Sequence, residues 1–406
     1  MNLNELHSLL LILAIAALGP FISEWIPRIR MPLVILEIAL GIIFGPQVLN
    51  VASAGPAIQV FATFGLAFLF FLVGFEVDYQ AIRGRPLALA GLGWLSSLIL
   101  CLAAGFTLQA LGLVNSGLIV GAALSTTALG TLLPILRDAG ELRTKFGAYT
   151  MASGAMGEFG PILLAVLTLS SGDDEHSGSV LLMLVFALII VAGAYVAIKY
   201  RPTKIILLLQ KKTHTSAQLP VRVSILVLAA LVILARNFGL DAVLGAIAAG
   251  VLVALASPGE YGEVLRHKLE AIAFGFFVPI FFVTTGLRYD LHALLSSNRA
   301  LLQLPMFLLL FFVVRGLPAL MARRDLDLRS RLALGFFSST QLPLVIVIIG
   351  VKANAVSPQT AAGLIGAGML SLLLFPMIGL ALRRGREAAT LHTTTALDAE
   401  LSHPSA

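Results

Sequence analysis

The chain has 406 residues, of which 58% are hydrophobic and 12% charged, and its formal net charge is +6. Soluble domains carry about 25% charged residues, so this composition excludes an ordinary soluble protein and predicts an all-α integral membrane protein. Apolar segments of membrane-spanning length recur from end to end, which leaves no room for a sizeable soluble domain. The single cysteine cannot form an intrachain disulfide.

Hydropathy predicts about thirteen transmembrane helices, at about 6–24, 32–49, 57–75, 86–110, 117–136, 146–169, 179–198, 221–238, 241–256, 270–287, 300–321, 331–350 and 358–382. With the N-terminus outside, most of the 27 Lys and Arg residues fall in cytoplasmic loops and at the cytoplasmic C-terminus. This bias predicts a multi-pass protein of a bacterial-type cytoplasmic (inner) membrane, in contact with the lipid bilayer. Because the positive charge lies on one side of the membrane, nucleic acid is not expected as a partner.

Short motifs recur in the two halves of the chain, 209 to 213 residues apart. The pairs are Gly74-Phe75-Glu76-Val77-Asp78 with Gly286-Leu287-Arg288-Tyr289-Asp290, Leu40-Gly41-Ile42 with Ala249-Gly250-Val251, and Leu124-Ser125-Thr126-Thr127 with Phe337-Ser338-Ser339-Thr340. Each pair lies seven predicted spans apart, an odd number, so the halves must have opposite orientation. The pattern predicts inverted six-helix repeats joined by the seventh span, a layout typical of secondary transporters.

Two polar clusters interrupt the fifth and twelfth predicted spans near mid-bilayer. They are Ser125, Thr126 and Thr127 in the first case and Ser338, Ser339, Thr340 and Gln341 in the second. Pro343 removes a backbone donor and predicts an unwound twelfth helix, so two crossed discontinuous helices are expected. Their freed carbonyls and hydroxyls would supply the oxygen ligands of an alkali cation. The alternative is that these side chains bond to their own helices and assist packing.

Glu158 is predicted near the middle of the sixth span. A carboxylate at that depth costs about 3 kcal/mol or more, so a chain that keeps one there is expected to use it. Gly157 and Pro161 allow close approach of another backbone or of water. A carboxylate in this setting can bind a proton or a cation but not easily both, which predicts exchange of a cation for a proton, with the alkali cation at Glu158 and Thr126. The alternative is a carboxylate locked to a basic partner.

Arg315 is the one basic residue predicted well inside a span. Its side chain could reach Glu158 or a broken-helix end, supplying a compensating charge, or extend to the membrane interface. Glu76 and Asp78, at the cytoplasmic end of the third span, are candidates for a vestibule that attracts cations, although a local ion pair is the simpler interpretation. Glu37 lies about one turn into the second span, where interfacial solvation is expected. No nucleotide, zinc or nucleophile motif is found, so neither enzymatic activity nor a cofactor is expected.

Residues about 6–382 resemble the sodium/proton exchanger superfamily, specifically the monovalent cation:proton antiporter-2 family, which includes bacterial potassium-efflux antiporters. The resemblance is carried by the segments 69–78, 123–128 and 279–286, by the Gly157-Glu158 step and by Arg315 at the family's basic position. It implies the sodium/proton antiporter fold and a homodimer.

Within a transmembrane domain of about 1–383, the resemblance implies a core of helices at about 86–170 and 300–382 that moves like an elevator. Dimerisation or scaffold helices are implied at about 6–75 and 221–287, with a linker helix at about 179–198. Residues 384–406 are expected to be a short cytoplasmic tail, so the nucleotide-binding regulatory domain of some potassium-efflux relatives is not expected in this chain.

One departure from the family pattern affects the expected stoichiometry. Where relatives carry a polar-acidic or paired-acidic step, Gly157-Glu158 offers a single carboxylate. The sequence therefore favours electroneutral exchange of Na+ or K+ for H+, and leaves the choice of cation open. Two other functions remain on the same helices, namely a cation channel or leak and an organic-anion symporter.

Overall fold

A computed structural model describes residues 3–25, 33–76, 84–169, 218–238, 242–257, 259–295, 298–341 and 354–401, with a few single positions between 185 and 195 and at 240, 343, 347 and 350–351. Within these residues every regular element is helical, which confirms the all-α prediction. The α-helices are α1 Leu3–Trp25, α2 Leu33–Phe44, α3 Pro56–Glu76, α4 Arg85–Ala110, α5 Gly117–Leu124, α6 Leu129–Asp138, α7 Lys145–Leu169, α8 Leu219–Asn237, α9 Ala242–Ala256, α10 Glu260–Ile272, α11 Val278–Leu287, α12 Leu291–Leu295, α13 Asn298–Phe311, α14 Leu328–Ser338 and α15 Pro358–Leu401.

The lengths and hydropathies of these helices fit a multi-pass membrane protein. In the described part of the chain, 8 continuous or nearly continuous helical stretches are long and apolar enough to cross a membrane, and α2 and α9 are shorter apolar helices. Most predicted bounds agree with the structure to within a few residues. Three differ more, because α2 ends at Phe44, α10 begins at Glu260 and α15 continues to Leu401. The predicted seventh span, 179–198, lies mostly outside the described residues, so the count of thirteen stays a prediction.

The chain divides into two compact units. The first contains Met1–Asp78 and Leu163–Asp290, and the second contains Tyr79–Ile162 and Leu291–Ala406. Each unit is therefore assembled from one N-terminal and one C-terminal part of the chain.

In the first unit, glycines let two pairs of helices approach closely. Gly41 of α2 meets Gly286 of α11, where a Cβ on Gly41 would lie 3.0 Å from the Gly286 Cα. Gly250 of α9 and Gly74 of α3 form the second contact, since a Cβ on either would overlap the other helix's main chain. Small residues are the usual means of close helix packing in membranes. These four glycines are the ones matched in the sequence, Gly41 with Gly250 and Gly286 with Gly74. The predicted repeat would therefore superpose one of these contacts on the other.

Glu37 departs from its sequence-based expectation. Its side chain is 2% exposed, so the expected interfacial solvation is wrong. The reason is packing, because α2 lies against both α1 and α11. The carboxylate stem lies against α1, since a Cβ on Gly19 would be 3.9 Å from the Glu37 Cγ, an ordinary contact distance.

In the second unit, two helices are interrupted where the sequence predicts it. The fifth predicted span is two helices, α5 and α6, separated by residues 125–128. The twelfth begins as α14 and leaves helical geometry after Ser338, with Ser339, Gln341 and Pro343 outside any helix. A third irregularity was not predicted. After α13 the chain forms a π-helix, Phe312–Gly316, and then a 3-10 helix, Leu317–Ala322.

Candidate ion-binding site

The two interrupted helices are hydrogen-bonded to each other at their interruptions. The Ala128 amide donates to the Thr340 carbonyl at 2.9 Å. The Gln341 side-chain amide donates to the Leu124 carbonyl, the last of α5, at 2.8 Å. A buried main-chain group without a partner is costly, and in a membrane it cannot turn to water. Each interruption therefore supplies the partners that the other has lost, and the two breaks form one crossing.

Thr127 is the side chain with the most contacts at this crossing. Its hydroxyl donates to the Ser338 carbonyl at 2.7 Å and accepts from Arg315 Nη2 at 2.6 Å. Its amide donates to the Gly157 carbonyl at 3.0 Å. Three separate elements, the end of α14, the π-helix and the middle of α7, thus meet on one residue that belongs to none of them.

Glu158 contacts the crossing from α7. The amide of Leu129, the first residue of α6, donates to Glu158 Oε2 at 3.1 Å. The amides in the first turn of a helix have no partner within the helix and carry partial positive charge, which favours an anionic ligand. An ionised carboxylate can accept about four hydrogen bonds, and the Leu129 amide is one donor to it.

Arg315 reaches the crossing from a locally widened helix. Arg315 lies in the π-helix Phe312–Gly316. π-Helices are rare overall, and those that occur are often at functional sites. Packing fixes this segment, because the ring of Phe312 stacks on that of Phe336 with centroids 4.5 Å apart. The Arg315 side chain is 2% exposed and ends on the Thr127 hydroxyl. Of the destinations considered from the sequence, the structure therefore selects a broken-helix end.

Gly157 is required by this geometry. A Cβ at this position would overlap both Thr127 Oγ1 and the Arg315 guanidinium. The next turn of α7 is equally close to α4, because a Cβ on Gly160 would overlap the ring of Trp94. No side chain fits at position 157 unless the threonine and the arginine move.

Several partners of the crossing were not anticipated. Trp94 Nε1 donates to the Ser125 carbonyl at 3.3 Å. The Ser371 hydroxyl accepts from the main-chain N–H of Gln341 at 2.9 Å and donates to the main-chain carbonyl of Gln341 at 3.2 Å. Ser153 and Ser338 share a hydrogen bond of 2.8 Å between their hydroxyls. Trp94, Ser153 and Ser371 lie in apolar helical sequence, and neither their spacing nor the local composition identifies them as partners of the crossing.

Comparison with known proteins assigns the family. The family model described as "Sodium/hydrogen exchanger, transmembrane" matches residues 12–380. The chain belongs to this family. The chain is 28% identical over 393 residues to the putative Na+/H+ antiporter YjbQ of Bacillus subtilis, covering 92% of this chain and 62% of the relative. It is 24% identical over 384 residues to a Na+/H+ antiporter of Enterococcus hirae, covering 91% of this chain and 96% of that protein.

A solved structure shows the same fold. The sodium proton antiporter MjNhaP1 of Methanocaldococcus jannaschii superposes with a TM-score of 0.59 at 17% identity, covering 93% of this chain and 96% of that chain. At this identity the likeness concerns the fold alone. The chain spans less than two thirds of the length of the B. subtilis relative.

Four of the six hydroxyls predicted as cation ligands have local partners. They bond to carbonyls three or four residues back along the chain, namely Ser125 to Ala122, Thr126 to Ala123, Ser339 to Gly335 and Thr340 to Phe336. Each hydroxyl oxygen still has lone pairs that can accept a cation. Glu76 ends α3 in the first unit, and Asp78 lies outside the described residues.

The ligand set around the crossing consists of oxygen atoms. Among the described residues no group of three His, Cys, Asp or Glu side chains could hold a metal ion. Glu158 provides a carboxylate, and Gln341 provides a buried amide oxygen, Oε1, for which the described part of the chain supplies no hydrogen-bond donor. Carboxylate and carbonyl oxygens suit hard cations rather than transition metals.

Proposed function

We propose that the protein is an antiporter that exchanges Na+ or K+ for H+, with Glu158 as the binding group shared by proton and cation. The observation that carries this proposal is the position of the Glu158 carboxylate at the crossing of the two interrupted helices, on the first amide of α6. A carboxylate that is partly buried among protein groups in a membrane helix is most stable when a proton or a cation offsets its charge.

Competition for one group makes the exchange obligatory. When ionised, Glu158 contributes acceptor oxygens only, and the buried Gln341 Oε1 adds another oxygen at the same crossing. Protonation of Glu158 removes the negative charge and turns one of its oxygens into a donor, so the cation loses its principal ligand. Each passage across the membrane therefore takes place with one ligand or the other bound.

The single carboxylate favours an electroneutral cycle. Position 157 has no room for a second acidic side chain, since Thr127 Oγ1 and the Arg315 guanidinium occupy that space. The buried Arg315 guanidinium is a fixed positive charge at this crossing, the same with either ligand bound, so it does not alter the charge that one cycle moves. One proton exchanged for one monovalent cation moves no net charge.

We extend the proposal to the whole assembly. The crossing, Glu158 and Arg315 all belong to the second unit, which would be the moving core of an elevator-type transporter. The first unit would be the scaffold and would form the homodimer. The chain would lie in a cytoplasmic membrane with its N-terminus outside, as the positive-inside rule predicts.

The test uses the purified full chain in liposomes with an imposed pH gradient and an internal pH dye. Na+, K+ and Li+ are added in turn to the wild type and to Glu158→Gln. We expect cation-dependent dissipation of the gradient in the wild type and its loss in the variant. The control is Glu263→Gln, which alters an exposed carboxylate paired with Arg266 on α10 and should transport like the wild type.

Two further measurements separate the antiporter from a channel. Clamping the membrane potential should leave the rate of an electroneutral exchanger unchanged, whereas a cation leak would respond to it. The rate should also saturate with cation concentration. If the wild type shows no cation-dependent proton flux, or if Glu158→Gln retains it, Glu158 is not the shared site and the antiport proposal is wrong.

A further inference from the structure

A small cavity in the second unit lies beside the crossing and is lined by hydrogen-bond donors. Its volume is about 30 Å³, which is room for about two water molecules or one halide ion. Polar side chains reach it from four elements. They are Ser97 of α4, Tyr149 and Ser153 of α7, Arg315 of the π-helix and Ser338 at the end of α14.

Two of these groups are fully buried and have donors without a described partner. Ser97 is 0% exposed and Arg315 is 2% exposed. Neither the Ser97 hydroxyl nor Arg315 Nε makes a hydrogen bond to the described part of the chain. Leaving a buried donor unpaired costs about 1–3 kcal/mol, and more for a charged group. A ligand in the cavity that accepts from both donors would recover this cost.

The lining selects the charge of that ligand. The described residues that line the cavity include no carboxylate, and Arg315 is their one full positive charge. The hydroxyls of Ser153 and Ser338 bond to each other, so one of their two protons remains to be donated elsewhere. A cation would be repelled by the guanidinium, whereas an anion can accept from both donors and also offset the guanidinium charge, which a neutral water cannot do. We propose that this cavity binds a small monovalent anion such as chloride.

The anion site is coupled to the cation site through Arg315. Glu158 follows Gly157, and the Arg315 guanidinium lies against the position that a Gly157 side chain would occupy. We therefore expect the carboxylate and the anion to act on the same positive charge. Neutralising Glu158, by a proton or by a cation, should raise the affinity for the anion. This coupling rests on the proposed function, whereas the anion site itself does not.

The first experiment measures thermal unfolding of the purified full chain in detergent. Chloride, bromide and nitrate are compared with gluconate at constant cation and ionic strength. At about tenfold excess over Kd, chloride should raise the Tm by about 1–3 °C relative to gluconate. Ser97→Ala removes one donor and should weaken the apparent Kd for chloride by about tenfold. The matched control is Ser96→Ala, because the Ser96 hydroxyl bonds to the Leu92 carbonyl of its own helix at 2.8 Å.

Crystals grown in bromide give an independent measurement, since anomalous scattering should place the ion between Ser97 and Arg315. Equal Tm values in chloride and gluconate would overturn the anion site. The same conclusion would follow if Ser97→Ala and Ser96→Ala responded equally to chloride, which would mean that the cavity holds water alone.

The two proposals fail separately. Glu158→Gln should bind chloride more tightly than the wild type while showing no exchange. Chloride binding that depends on Ser97, in a wild type that does not exchange cations for protons, would leave the anion site standing and refute the antiporter. Normal exchange with no chloride effect on Tm would refute the anion site and leave the antiporter standing.

Discussion

Replacing Thr127 by valine exchanges a hydroxyl for a methyl group. This change should destabilise the second unit more than the same exchange at any other position of the crossing. Valine has the shape of threonine but no hydroxyl. The change therefore leaves the Ser338 carbonyl and one N–H of Arg315 without the partner that now lies at 2.7 Å and 2.6 Å respectively. Each unpaired buried group costs about 1–3 kcal/mol, so the loss should total about 2–6 kcal/mol.

A matched control separates this loss from a general intolerance of the exchange. Thr150 of α7 is 1% exposed, and its hydroxyl bonds to the Phe146 carbonyl of its own helix at 2.9 Å. Thr150→Val removes a hydroxyl from a carbonyl that already accepts within the helix, so its effect should be about 1 kcal/mol or less. Thr127→Ser keeps both hydrogen bonds and loses one methyl group, which should cost about 1 kcal/mol.

The assay is the shift of the chemical or thermal unfolding midpoint in detergent, together with the liposome assay of proton flux. Thr127→Val should lower the midpoint well below that of Thr150→Val and should abolish exchange, whereas Thr127→Ser should retain most of both. If the two valine variants unfold alike, then the Thr127 hydroxyl does not hold the crossing together.

Two other predictions concern a glycine and a loop carboxylate. Gly157→Ala should lower the free energy of unfolding by about 1–3 kcal/mol through overpacking, since its Cβ would overlap its neighbours. Gly91→Ala on α4 has nothing within 4 Å of the added methyl group and should instead stabilise the protein by about 0.5–1 kcal/mol. Equal unfolding midpoints for the two variants would contradict this prediction. The hydrogen bond from Arg85 Nε, at 2.7 Å, lowers the pKa of Asp325 below its usual 3.8. Because the folded-state pKa is depressed, the stabilisation is present above pH 3.8 and is lost as the pH falls through the lower folded value. The wild type should therefore exceed Asp325→Asn in Tm near neutral pH and converge with it on acidification, and a pH-independent difference would refute the assignment.

The interruptions could be predicted from the sequence because their cause is local. Pro343 cannot continue a helix, and Ser and Thr clusters compete with the helical backbone for hydrogen bonds. A role for Glu158 of α7 could also be predicted from the sequence, because an ionisable group inside a long apolar segment is too costly to be kept without a function. Polarity against an apolar background is thus the signal that a single membrane sequence provides.

The partners of these residues could not be predicted, because they depend on which helices meet. The tryptophan that donates to the Ser125 carbonyl and the serine that binds both main-chain groups of Gln341 lie 31 and 30 residues away along the chain. The error at Glu37 has the same origin. The prediction takes the depth of Glu37 along its span as a measure of its exposure, whereas the neighbouring helices decide whether a side chain reaches water.

The reciprocal bonding of the two interruptions limits how the site can change. The Ala128 amide depends on the Thr340 carbonyl, and the Leu124 carbonyl depends on the Gln341 side chain. Sliding one interrupted helix past the other would orphan these groups in a region without water, at about 1–3 kcal/mol for each. Tight coupling of this kind favours motion of the crossing as one body over local rearrangement within it. An ion held there by Glu158 would then be carried with its ligands, and its release would require a change in what surrounds the crossing rather than in the crossing itself.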